Sequence, residues 1–274
     1  MNYTLMYSCV FIRNMPKLKS RATLDSFEEL QVGYGNRNGV DKLEIYQGQK
    51  DKIKDRLHIK DLKWTEKQKK FINLALDDKT KIVFISGPAG TSKTMLSVYC
   101  GLRLLNSKKV SDMVYVRSAV ESSDARLGFL PGDADTKLHY FNMPFMDKLD
   151  ELLSDSEVKR LQKESRVSTY PINFSRGMSW NEKCLILDEC QNSSLKEIVT
   201  FLTRIGHCSK IFICADPMQT DLKNGNRGGF KRLNSLFNEE ESNENGIFSF
   251  EFNEEDIVRS EILKYLVKRI NTLE

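Results

Sequence analysis

The octapeptide Gly87-Pro88-Ala89-Gly90-Thr91-Ser92-Lys93-Thr94 follows the apolar run 81–85 and opens the helical pattern Met95 to Leu105. Strand, glycine turn and helix in that order confine the chain to an α/β fold whose turn faces a ligand. Such a turn aims successive backbone N–H groups inward, and the helix N-terminus adds partial positive charge, so the pair predicts a polyphosphate site. Lys93 is then expected to bridge the β- and γ-phosphates and Thr94 to ligate Mg²⁺. A glycine turn that merely caps a buried helix is the plainer alternative. Ser92 stands where the strict G-x-x-x-x-G-K-[ST] pattern has its last glycine, and its Cβ costs energy if that position needs φ > 0.

A second apolar run, Cys184-Leu185-Ile186-Leu187, is too short for a helix and ends in Asp188-Glu189, as a buried parallel strand would at a ligand crevice. Asp188 is placed to hold the Mg²⁺ through water, and Glu189 to orient and deprotonate the water that attacks the γ-phosphate. An adjacent glutamate suits water activation better than the positioning of a substrate hydroxyl, which ranks a small-molecule phosphotransferase below a hydrolase. A third strand, 210–214, leads into Ala215-Asp216-Pro217-Met218-Gln219. Gln219 is a candidate contact for the γ-phosphate and attacking water, with ordinary turn chemistry as the alternative.

Alternating apolar and helical segments predict an α/β domain with a parallel sheet and a single core. Its strands fall at 82–85, 113–116, 167–173, 183–187, 210–214 and 247–252, with helical regions at 134–163 and 194–203. Ser194-Leu195-Lys196-Glu197 reads as a capping box. The acidic stretch 238–245 lacks periodicity and reads as a surface loop. Val258, Ile262, Leu266, Val267 and Ile270 form an apolar stripe on the last helix, expected to pack on the sheet.

With 274 residues, 40% hydrophobic and 29% charged, the chain can bury a sizeable core. Its mean hydropathy of −0.45 argues against a membrane protein. The six cysteines are dispersed without C-x-x-C spacing, and the three histidines are far apart. They read as reduced thiols and packing or surface histidines, with no metal beyond the nucleotide's Mg²⁺. This points to a cytoplasmic protein.

Besides the Walker A-like and Walker B-like segments, the chain contains Val116-Arg117-Ser118-Ala119-Val120-Glu121, Leu127-Gly128-Phe129-Leu130-Pro131-Gly132-Asp133, Leu187-Asp188-Glu189-Cys190-Gln191-Asn192, Phe201-Leu202-Thr203-Arg204-Ile205-Gly206 and Asp256-Ile257-Val258-Arg259. In these runs it resembles the PhoH family, phosphate-starvation-inducible P-loop ATPases with a helicase-related core, from about Lys63 to Leu273, which implies a three-layer fold with a RecA-like, mostly parallel sheet. Ser92, Cys190 and Ala215 depart from the family pattern and bear on nucleotide affinity and turnover more than on fold. The resemblance implies ATP as ligand and RNA, or an RNA-processing partner, as the object of turnover. It makes Gln68 similar to the adenine-reading glutamine of helicase-like enzymes, with an exposed helical glutamine as the alternative. It also marks Arg259 as a candidate arginine finger, in its own subunit or a neighbour's, against a salt bridge to Glu255 or Glu261.

The domain division expected is an N-terminal extension over 1–60, of which 1–14 precede an alternative start at Met15, and a PhoH-like ATPase domain over 61–274. A single RecA-like lobe implies a homo-oligomer, with a hexameric ring among the forms this predicts. Net charge is +4, which permits nucleic acid. Arg117, Arg126, Lys137, Tyr140, Lys223 and Arg227 form the candidate surface for single-stranded RNA, each having a solvated or core role as the plainer alternative. A nucleotide-gated assembly module with little turnover is the runner-up to an ATPase.

Overall fold

A computed structural model describes residues 51–117, 134–219 and 228–270, with the backbone alone over 134–141. Six strands, β1 (Ile82–Ser86), β2 (Asp112–Arg117), β3 (Val167–Pro171), β4 (Lys183–Asp188), β5 (Lys210–Ala215) and β6 (Ile247–Glu251), form one sheet in the order β3-β2-β4-β5-β1-β6. Every pairing is parallel. All C-terminal tips therefore lie along one edge. β1 pairs with no strand near it in sequence: Ile82 stands opposite Ile211 on one side and Ile247 on the other.

Side chains alternate across the sheet, and each face has its own helical layer. On one face Met113, Tyr115, Cys184, Ile186 and Phe212 pack under α1 (Glu66–Leu76), α2 (Lys93–Asn106), α3 (Ala134–Leu152) and α4 (Asp155–Lys163). On the other, Phe84, Val114, Leu185, Leu187 and Ile213 pack under α5 (Leu195–Leu202) and α6 (Gly229–Leu236). Three layers result, as the resemblance implies, although the sheet is wholly rather than mostly parallel. The expected capping box at Ser194 forms: its hydroxyl accepts from the Glu197 N–H, and the Glu197 carboxylate accepts from the Ser194 N–H at 2.8 Å. Thr65 and Gln68 make a second one at the start of α1.

Two expectations fail. The acidic stretch taken for a loop contains α7 (Glu240–Glu244), one short turn of helix whose first-turn acids complement its N-terminal dipole. The stripe on α8 (Glu261–Ile270) does not pack on the sheet: no residue of this helix is buried, and Ile262 is 64% exposed. The cause lies upstream. After β6 the chain turns over the phosphate loop, where Ile257 is buried and Leu263 of α8 lies beside Gly90.

Four of the five described cysteines are buried and all five are unbridged. Burial pushes the Cys184 thiol up to about 12, which fits a core role. Among the described residues no helix is long and apolar enough to cross a membrane, and no cluster of metal-binding side chains occurs.

Candidate nucleotide site

Three strand tips build the site. β1 runs into the phosphate loop, β4 ends at Asp188, and β5, which lies between them, ends at Ala215 and presents Asp216. The loop owes its path to backbone torsions open to glycine: φ is 154° at Gly87 and 85° at Gly90. A Cβ on Gly87 would stand 2.9 Å from the carbonyl oxygen of Phe252, so the loop and the chain after β6 are in direct contact. The Thr91 hydroxyl donates to the Pro88 carbonyl at 2.9 Å and closes the turn. Ser92, φ 69°, adopts the left-handed conformation that its place in the pattern demands, and its hydroxyl makes no capping bond to α2.

The Lys93 ammonium folds over the loop, donating to the carbonyls of Gly87 at 2.6 Å and Pro88 at 3.0 Å. The first turn of α2 carries no acid, so the positive end of its dipole is not neutralised locally. The loop thus offers an ammonium and a helix terminus to an anion.

The hydroxyl of Thr94 donates to the Asp188 carboxylate, 3.1 Å from one oxygen and 3.0 Å from the other. This contact joins the two sequence motifs across the sheet. A hydroxyl and a carboxylate are hard oxygen donors of the kind Mg²⁺ takes while keeping several waters, so the pair fits that ion. Burial raises the Asp188 pKa, as does the charge of Glu189; donors from Tyr115, Thr94 and the Glu189 amide oppose the rise.

Glu189 sits past the strand end with φ 52°, a left-handed torsion that is strained for this residue type. Gln191 fixes it. This side chain is 4% exposed, donates from Nε2 to Glu189 Oε2 at 2.6 Å, and accepts at Oε1 from the Asp216 N–H at 3.1 Å. The Asp216 carboxylate accepts from the N–H groups of Met218, at 3.0 Å, and Ala89. Burial raises its pKa, and the Lys93 charge works against that rise. One connected set of polar groups therefore spans all three tips.

Among the remaining candidates, Gln219 is exposed on the turn after β5, its N–H donating to the Asp216 carbonyl at 3.1 Å. Gln68 is not an exposed helical residue: it is 2% exposed, and its Oε1 accepts from the Thr65 N–H at 3.0 Å in the cap of α1. Arg259 is exposed beside the loop, its Cβ 3.4 Å from where a Cβ on Gly90 would stand. Arg117 ends β2, opposite Asp188. Arg126, Lys223 and Arg227 lie outside the described residues, as does the Leu127–Gly132 run, and the side chains of Lys137 and Tyr140 do also.

Sequence reasoning missed Asp216, Gln191 and Tyr115 as members of the site. Asp216 was readable as a third acid at a strand tip. Gln191 and Tyr115 depend on cross-strand proximity, which no local pattern encodes.

The family pattern PhoH, described as "PhoH-like protein", matches residues 62–271. A PhoH-like protein of Mycobacterium bovis is 32% identical over 203 residues, covering 74% of this chain and 56% of the relative. One from Bacillus subtilis is 31% identical over 190 residues, covering 69% and 58%. Protein PhoH of Escherichia coli K12 is 31% identical over 188 residues, covering 68% and 51%. The chain thus spans just over half the length of these relatives. Among solved structures, the Pif1 helicase from Candida albicans aligns with a TM-score of 0.40 and 16% identity over 77% of this chain and 44% of that one, a likeness too loose to carry an argument. With the pattern running through both motifs and the strand tips that present them, the chain belongs to the PhoH family.

Proposed function

We propose that this chain is a Mg²⁺-dependent ATPase whose turnover acts on RNA or an RNA-processing partner. The carrying observation is the hydrogen bond from Thr94 to Asp188, which brings the phosphate-loop hydroxyl and the strand-end carboxylate to one point. Lys93 and the loop amides would hold the β- and γ-phosphates. Mg²⁺, held by Thr94 and through water by Asp188, would supply charge neutralisation on those phosphates. Glu189, oriented by Gln191, would take the proton of the attacking water. Arg259 is a finger candidate in its own subunit, given its place beside Gly90; Gln219, exposed on the turn after β5, is a candidate sensor of the γ-phosphate.

RNA is supported by the same sheet edge. Phe174, 65% exposed, and exposed Arg176 follow the tip of β3, next to Arg117 at the tip of β2, which supplies a stacking ring beside cations. A homo-oligomer, a ring among its forms, is supported by the open apolar face of α8. The cytoplasm is the compartment that free, buried thiols favour.

The test is phosphate release from ATP and Mg²⁺, with and without single-stranded RNA, for the wild type, Lys93→Ala and Glu189→Gln. Turnover lost in both variants and raised by RNA supports the proposal. Stoichiometric ATP binding without release favours instead a nucleotide-gated assembly module, a reading to which the strained Ser92 lends weight.

A further inference from the structure

We propose that Tyr115 is a positioning residue for Asp188, setting the rotation of the carboxylate that would hold Mg²⁺ through water; this rests on the reading of Asp188 as a Mg²⁺ partner. Tyr115 lies on β2 opposite Ile186 of β4, and its side chain reaches the diagonal neighbour on the same face, Asp188. Its hydroxyl donates to Asp188 Oδ2 at 2.7 Å, and the whole residue is closed to solvent.

Thr94 alone does not set that rotation, and the Glu189 amide is a further donor to the same carboxylate. The Thr94 hydroxyl stands 3.1 and 3.0 Å from the two carboxylate oxygens and so does not choose between them. Tyr115 touches one. The tyrosine is itself fixed, since its ring stacks on Phe145 of α3 with centroids 5.0 Å apart and planes 7° from parallel. The line of support thus runs from α3 through an aromatic pair to a single carboxylate oxygen. Groups that orient a metal ligand from behind typically contribute about 10- to 100-fold in metal affinity.

The experiment is a Mg²⁺ titration of the binding of a fluorescent, non-hydrolysable ATP analogue to full-length wild type, Tyr115→Phe and Phe145→Leu. Tyr115→Phe keeps the ring and its stack and removes only the donor. The expected result is a rise of about 10- to 100-fold in half-saturating Mg²⁺, with analogue affinity in EDTA unchanged. Phe145→Leu keeps the donor and loosens its support, so a smaller rise of about threefold or more is expected, and this variant carries the test if Tyr115→Phe does not fold. Half-saturating Mg²⁺ unchanged in the folded variants overturns the proposal. So does an equal loss of analogue affinity with and without Mg²⁺, which marks a packing defect. Wild type that binds the analogue with no Mg²⁺ dependence overturns the underlying reading of Asp188 instead.

Discussion

The N–H of Val258 donates to the carbonyl of Gly90 at 3.1 Å, so the segment that follows the last strand is bonded directly to the phosphate loop. Ile257 and Leu263 close on the same glycine; a Cβ there would lie 2.6 Å from Leu263 Cδ2. Gly90→Ala is therefore expected to suffer twice, from this clash and from φ 85°, and to lose about 2–4 kcal/mol of stability. Leu263→Ala added to Gly90→Ala should restore only the steric part. Urea unfolding of the two variants measures the split, and full restoration would mean that torsion is not a constraint at this position.

Ser92 holds φ 69° at a cost that an L side chain bears and glycine does not. Ser92→Gly should gain about 0.5–1 kcal/mol after glycine's larger unfolded-state entropy is deducted. Ser92→Ala, with the same Cβ, should gain nothing. Chemical denaturation of the pair separates torsional relief from loss of the hydroxyl.

Gln191 bridges the Glu189 carboxylate and the Asp216 backbone. Gln191→Met keeps the volume and breaks both bonds. A hydrogen bond to a charged group contributes about 1.5–3 kcal/mol, so kcat should fall by roughly 10- to 100-fold while ATP binding changes little. Steady-state kinetics beside equilibrium binding checks this; a rise in KM alone would place Gln191 in substrate binding.

Glu157 predicts an acid-sensitive contact far from the site. Burial pushes its pKa up, but the His58 backbone N–H, the Ser154 hydroxyl and N–H, and the His58 ring outweigh this and hold it at about 2, against an ordinary 4.5. Because the folded value is the lower one, the stability it contributes is fully present above pH 4.5 and is lost as pH falls through about 2. Glu157→Gln should lower stability by about 1 kcal/mol at pH 7, and the gap to wild type should close between pH 4.5 and 2. Urea midpoints across that range measure it.

Much of the site was legible because its parts are local. The torsional demand on Ser92, the pairing of Lys93 and Thr94, and the acids after Leu187 all follow from a strand meeting a turn. The α8 stripe misled because periodicity reports an apolar face but not what lies against it: Ile262 and Leu266 repeat correctly yet stand open. Gln68 illustrates the reverse. Its i+3 relation to Thr65 spells a capping box in the sequence, and the structure spends its carbonyl there. Tyr115 was unreadable, since its task depends on which strand lies alongside.

The register of β1 bears on how the protein comes into being. Both partners of Ile82, namely Ile211 and Ile247, are synthesised long after it, so the strand that launches the phosphate loop waits unpaired until β5 has been made. Closing such distant contacts carries a loop entropy that local helices do not. The strand that launches the phosphate loop gains its second neighbour only when β6 has been made, so the loop's footing is completed by the latest of the six strands.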